Sequence, residues 1–469
     1  MNPIAVKEFR QAVQSRGVIA ILMLFLAVNL AVIGGYVMLS SDAGTSFNGG
    51  RGVFMGLLGI LMFTCMIFVP LYSGGRMSLE RNNADIDLLY VTTLSPGAIV
   101  RGKYLTAIAL TLLIFSASMP FMILTYLLRG IDLPSIFFVL GVCFVICALA
   151  DAVGIAAGCM PGKGNFRGIG ILAAIFLLPV FPQVIMLAER YLVGGIGWWM
   201  QTWQFWSTFG TYFLMILLAV GLLYVLSVAL LSPKPSNRML IPRLYMTGAW
   251  AVAGAVMFAW SYVSKSDVPI TSWMVGSGAA LMLLAVLELG ERDAWTARVR
   301  RTIPRNRLLR LPAFLFYTGS AGGVAWCVLM FAATMLLARL GSATNVDVYH
   351  NLPIVFGYTL CYGLTAAFLR FALLRRVRTT GIPILAAFLA AATWLLPFLI
   401  AFFIRQNDMY SAAPWYLLGS PAVLTTNDDA AKHAATLVML GWLGLCGLLS
   451  APWFVGQWRR FVPYEGSSP

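Results

Sequence analysis

The groups with which this chain of 469 residues could do covalent or metal chemistry are seven cysteines, two histidines and a carboxylate set deep in an apolar run. Cys143 and Cys147, four residues apart, fall on one face of a helix, the spacing of a metal-ligand pair. No histidine joins them at ligand spacing, so they read as inert interior thiols, and no metal site is expected. His350 and His433 stand far apart, and neither HExxH nor GxSxG occurs, so no catalytic residue is assigned. Pro161-Gly162-Lys163-Gly164 approaches a phosphate-binding loop. Ala157 occupies the place of its first glycine, however, and Gly164 that of the hydroxyl residue that would hold magnesium, so the chain has no ATP site by this route. Asp151 is the clearest carboxylate at membrane depth. Left unpaired there it would cost about 3 kcal/mol, which requires it to be partnered, hydrated or protonated. A structural partner and a place on a substrate or proton path are both open readings.

The elements that must carry these groups follow from composition. Hydrophobic residues make up 60% of the chain and charged ones 10%, against about 25% charged in an ordinary soluble domain, which excludes a soluble globular protein. Asn2-Pro3 reads as a helix cap, and Val6, Phe9 and Val13 form a stripe opposite Lys7, Arg10 and Gln14, the pattern of a short interfacial helix. Residues 17–40 are uncharged and longer than the roughly 7–15 residues of a signal-peptide core, so they read as an uncleaved anchor. Further apolar runs at 52–75, 104–128, 135–158, 168–188, 208–231, 245–263, 272–290, 313–337, 353–373, 381–404 and 433–457 bring the expected spans to twelve. The fold class is therefore an all-α polytopic membrane protein.

With twelve spans both ends lie on one side. Placing the N-terminus inside puts 25 of the 32 lysines and arginines in inner segments; the other 7 are Arg51, Arg129, Arg190, Lys265, Arg339, Arg405 and Lys432. That bias predicts N-in, C-in topology. It also reads the net charge of +15 as an inner girdle facing anionic lipid, with nucleic acid excluded as a partner.

Two features recur in the same order: long inner loops opening with Glu80-Arg81 and Glu291-Arg292, and aromatic outer loops holding Trp198, Trp199, Trp203 and Trp206 in one case and Trp415-Tyr416 in the other. The expected organisation is two six-helix halves of like orientation, residues 1–231 and 232–469. Glu288, near a helix end, reads as snorkelling to the inner surface.

The stretch from Arg76 to Lys103 is too long for a turn. Its core, Ser78 to Tyr90, mixes Leu79, Ile86 and Tyr90 with Glu80, Asp85 and Asp87, as in a short helix on the inner face. Glu80-Arg81, Asp87-Leu88-Leu89, Thr92, Leu94-Ser95 and Gly102-Lys103, together with the opening Asn2-Pro3-Ile4 and Lys7-Glu8-Phe9-Arg10, resemble the type 2 ABC exporter permeases. The likeness covers roughly the first 230 residues. Thr93 replaces that family's proline and Asp87 its glutamate, and the arginine-rich stretch Glu291 to Pro312 of the second half lacks the motif.

The resemblance implies a membrane subunit of the bacterial cytoplasmic membrane whose separate ATPase subunit binds ATP and magnesium. In that family the loop after the second span is a coupling helix seated in the ATPase, which assigns Glu80, Arg81, Asp87, Leu88 and Leu89 to that contact. It also implies a second permease chain or a second copy of this one as partner. Trp198, Trp199, Trp203 and Trp206 would lie in outer gate helices, although a plain interfacial belt accounts for them equally well. The competing class is a twelve-helix secondary transporter driven by an ion gradient. The scarcity of intramembrane charge and the degenerate loop after the second span weigh against it.

Overall fold

The computed structural model describes residues 3–40, 49–82, 95–128, 131–160, 200–233, 236–291, 295–341, 346–374, 381–404, 418–425 and 428–464. The chain is an all-α, polytopic membrane protein. Among the described residues, ten helices are long and apolar enough to cross a bilayer. The apolar run 381–404 forms a further helix, Ile382–Ile404, while the expected span 168–188 lies outside the described residues. The chain divides into two compact units, Met1–Ser232 and Pro233–Pro469.

In the first unit α1 (Pro3–Val13) precedes α2 (Arg16–Ser40). Next, α3 (Gly49–Phe63) runs through a π-helical turn, Thr64–Phe68, into α4 (Val69–Asn82). They are followed by α5 (Pro96–Leu127), α6 (Leu133–Gly158) and α7 (Trp203–Leu231). Helix α5 is central and packs on every other described helix of the unit. It starts sharply because Ser95 caps it, its hydroxyl accepting from the Ala98 amide, and because Pro96 at the first position needs no hydrogen-bond partner for a backbone N–H. Asp132 caps α6 in the same way.

The closest helix contact in this unit is between α4 and α6. A Cβ on Gly154 would lie 2.6 Å from the Pro70 carbonyl oxygen, and one on Gly158 2.4 Å from that of Gly74. Two backbones can approach this closely only where no side chain intervenes, the packing that apolar helices use when lipid competes for their sides.

The second unit contains α8 (Leu240–Ser264), α9 (Val268–Leu289), the short α10 (Ala297–Arg300), α11 (Arg307–Phe316), α12 (Ser320–Leu340), α13 (Val346–Ala372), α14 (Ile382–Ile404) and α15 (Asp429–Arg460). Here α9 is central, touching α8, α12, α13 and α14. The expected run 313–337 does not form one helix. It breaks at Tyr317–Gly319, so that Ala313 to Phe316 close α11 and the span itself begins at Ser320. An apolar run carries no mark of such a break beyond Gly319, whose φ of +151° suits only glycine.

The expected amphipathic helix at the N-terminus is present, with a further face. Ala12 is buried and Glu8 half-buried against the unit, whereas Val6 and Val13 are exposed. In a membrane protein an exposed apolar stripe is one available to lipid.

Candidate functional site

Three segments far apart in sequence meet where α1, the end of α4 and the start of α5 come together. Lys103, in the second turn of α5, is 2% exposed, and its ammonium lies 2.7 Å from Glu8 Oε1 and 2.7 Å from Glu80 Oε2. The length of the lysine stem allows this: the α5 backbone is interior, and the four-carbon chain carries the charge out to carboxylates on the two neighbouring helices. A shallow cleft beside it is lined by Gln11, Tyr72, Ser73, Arg76 and Thr106 together with the three charged residues. The Arg76 guanidinium lies 5.8 Å from the Tyr72 ring centroid, so two cations and two carboxylates share the cleft.

The two carboxylates are not equivalent. Glu80 is the more open, with a side chain 39% exposed, at the edge from which the chain continues towards residue 83. Glu8 is more enclosed, and burial raises its pKa above the ordinary value; the Lys103 charge and hydrogen bond oppose that, the Glu80 charge adds to it and Arg76 lowers it. One lysine therefore bridges two acids, with Arg76 as the second cation of the cleft.

Farther along α5, Thr111 donates to Asp151 Oδ2 at 2.9 Å, joining α5 to α6. Asp151 is fully buried, and its Oδ1 has no hydrogen-bond partner among the described residues. Eight residues separate Lys103 from Thr111, about 12 Å of helix. Tyr104 donates to the Ala148 carbonyl at 3.1 Å, a second polar tie between the same helices. Cys143 and Cys147 are buried, with Cys147 Sγ 3.8 Å from Met62 Sδ, and among the described residues no group of acids, histidines and cysteines could hold a metal.

Of the other residues singled out in the sequence, Arg81 belongs to the last turn of α4, and Asp87, Leu88 and Leu89 lie outside the described residues, as do Trp198 and Trp199. Trp203 and Trp206 occupy the first turn of α7 and are exposed; Trp206 Nε1 donates to the Met200 carbonyl at 2.7 Å, and its ring meets Phe205 and Phe209 edge-on.

The second unit holds a polar centre that sequence reasoning missed. Glu288 does not snorkel: it is 1% exposed and bound by Arg243, Nε to Oε1 at 2.7 Å and Nη2 to Oε2 at 2.5 Å. The same guanidinium donates to the carbonyls of Leu315 (2.8 Å), Tyr317 (2.5 Å) and Gly319 (3.0 Å), which are the acceptors freed where the chain breaks between α11 and α12. A Cβ on Gly323 would collide with this pair. Nearby, Arg238 holds Glu291 with two hydrogen bonds of 2.9 Å. The signal available in sequence was one arginine and one glutamate near facing ends of adjacent spans. That position is also the one from which such side chains normally reach water, so it gave no reason to pair them.

No protein-family model matches the chain, and no curated protein or solved structure matches it either.

Proposed function

We propose that the chain is the membrane subunit of an ABC exporter of type 2, driven by a separate ATPase subunit that binds ATP and magnesium at the inner face of a bacterial cytoplasmic membrane. In this reading the chain has twelve spans in two six-helix halves, both ends inside, and the second half has diverged. It supplies the conduit and the mechanics and has no ATPase site of its own. Residues 80–89 seat the ATPase.

One observation carries the reading. Three of the stretches on which the family resemblance rests, Lys7-Glu8-Phe9-Arg10, Glu80-Arg81 and Gly102-Lys103, meet in a single ionic cluster. Such a cluster gives a motion of the 80–89 segment somewhere to go. Displacing Glu80 withdraws one of the two counter-charges of Lys103, which biases α5 and, through Glu8, α1. The Thr111 to Asp151 bond and the glycine contact between α4 and α6 extend the connection to α6.

The test is biochemical. Purified alone, the chain is expected to hydrolyse no ATP above background; expressed with its nucleotide-binding subunit, it is expected to co-purify with it and to alter its hydrolysis rate. Hydrolysis by the isolated chain, or gradient-driven transport without any ATPase, would overturn the proposal, the latter in favour of a secondary transporter.

A further inference from the structure

Residues 295–316 of the second unit have two unlike faces. On one, Val299, Ile303 and Phe314 close onto Trp295, Ala321 and Phe461 as a buried cluster. On the other, Leu308, Leu309 and Leu311 are 83%, 57% and 58% exposed. Leu308, Leu311 and Pro312 follow one another at i, i+3 and i+4, so they share an arc of α11, with Arg307 and Arg310 beside and behind it.

The charge is as one-sided as the apolar arc. Arg298, Arg300, Arg301, Arg305, Arg307 and Arg310 fall within this stretch, and no acidic residue occurs between Asp293 and Asp347. Among the described residues none of these arginines forms an ion pair; Arg301 stacks over Tyr464 at 5.3 Å, and the Nε of Arg310 is enclosed without an acceptor.

The level of α11 relative to the spanning helices is fixed. Arg243, paired with Glu288 at the facing ends of α8 and α9, donates to the carbonyls of Leu315, Tyr317 and Gly319, and α12 starts at the next residue. The helix therefore lies beside the ends of three spanning helices, and Trp295, Trp453, Trp458 and Tyr317 pack with its buried face, residue types enriched at membrane interfaces.

We infer that α11 is an in-plane membrane helix, with Leu308, Leu309 and Leu311 among the acyl chains and Arg305, Arg307 and Arg310 binding the headgroups of anionic phospholipid. Exposed leucines backed by arginines that form no ion pair among the described residues are matched by that surface, apolar below and anionic above. The inference rests on membrane embedding alone and stands whether or not an ATPase drives the protein. It also gives the arginine-rich stretch of the second half a role other than coupling.

The experiment uses the full chain in lipid nanodiscs. Spin labels on Leu308→Cys and Leu311→Cys, with the unsubstituted chain as blank because all seven native cysteines are buried, are expected to be relaxed by dissolved oxygen and shielded from a water-soluble nickel chelate. Relaxation by the chelate would overturn the assignment and leave the face free for a soluble protein. In equimolar phosphatidylcholine and phosphatidylglycerol, the triple variant Arg305→Gln, Arg307→Gln, Arg310→Gln is expected to lose preference for the anionic lipid by roughly fivefold per charge removed, while the matching lysine variant keeps most of it. Undiminished preference in the glutamine variant contradicts the proposal. Should that variant not fold, the labels still decide the question.

Discussion

Lys103 and Arg243 each bind more than one acceptor, and the consequences of removing them differ. Lys103→Met leaves Glu8 and Glu80 with Arg76 as the remaining cation of the cleft, and because Glu80 is 39% exposed the expected loss is about 1–3 kcal/mol. Unfolding of the full chain in detergent measures it. Glu8→Gln acts differently. A carboxyl whose pKa is raised in the folded state contributes stability at low pH and loses it as pH rises through that raised value. Wild type is therefore expected to lose stability relative to Glu8→Gln on going from pH 4 to pH 8; a difference that stays flat or runs the other way would contradict the burial of Glu8. For the second cation, replacing Arg243 and Glu288 together by methionines removes both charges but still strands three carbonyls, so the pair swap is expected to remain destabilising where an isolated ion pair would break even. Such pairings were not legible in the sequence. Glu8 and Lys103 are 95 positions apart and Arg243 and Glu288 are 45 apart, and near a span end the same residues satisfy a snorkelling reading equally well.

At the scale of elements, hydropathy located the described spans, with ends up to eight residues from the observed ones, because a bilayer requires long apolar helices and little else produces them. It failed where structure depends on a single residue rather than a run. The break before α12 is set by Gly319 and by the guanidinium that takes up the freed carbonyls, and both lie inside or far from an uninterrupted apolar stretch. The start of α5 at Pro96, eight residues before the apolar run at 104, was hidden because Arg101 and Lys103 made its first turns look like loop. The glycine contact between α4 and α6 gives an internal comparison. Gly154→Ala and Gly158→Ala place a methyl group against backbone that cannot rotate away, so each is expected to cost about 1–3 kcal/mol. Gly141→Ala on the same helix, with nothing within 4 Å, is expected to be neutral or slightly stabilising. Equal effects at the three sites in thermal unfolding would contradict the close approach.

For the whole molecule, membrane embedding and helical class were legible from composition, whereas the proposed role rests on one motif and on what that motif assembles. The sidedness prediction follows from the 25 to 7 division of positive charge. Single cysteines at exposed Arg298 and Arg305 are expected to resist a membrane-impermeant thiol reagent in intact cells and to react once the membrane is opened. Labelling from outside would reverse the proposed topology.

The most direct test of the central claim is the affinity of the ATPase subunit for chains altered at the coupling segment away from the ionic cluster. Asp87→Lys with Leu88→Ser leaves Glu8, Glu80 and Lys103 untouched, so a defect cannot be ascribed to loss of their pairing. If residues 80–89 seat the ATPase, these changes put mismatched charge into an interface and remove a buried anchor. An association about thirtyfold weaker, near 2 kcal/mol, is then expected, with a matching fall in coupled hydrolysis. Glu291 is the wrong control in the second half, because it is buried against Arg238 and its loss would test folding. Arg298→Glu, exposed on the corresponding loop, is expected to change the affinity little. Unchanged association and hydrolysis in the Asp87 and Leu88 variant, with the protein folded and inserted, would contradict the account.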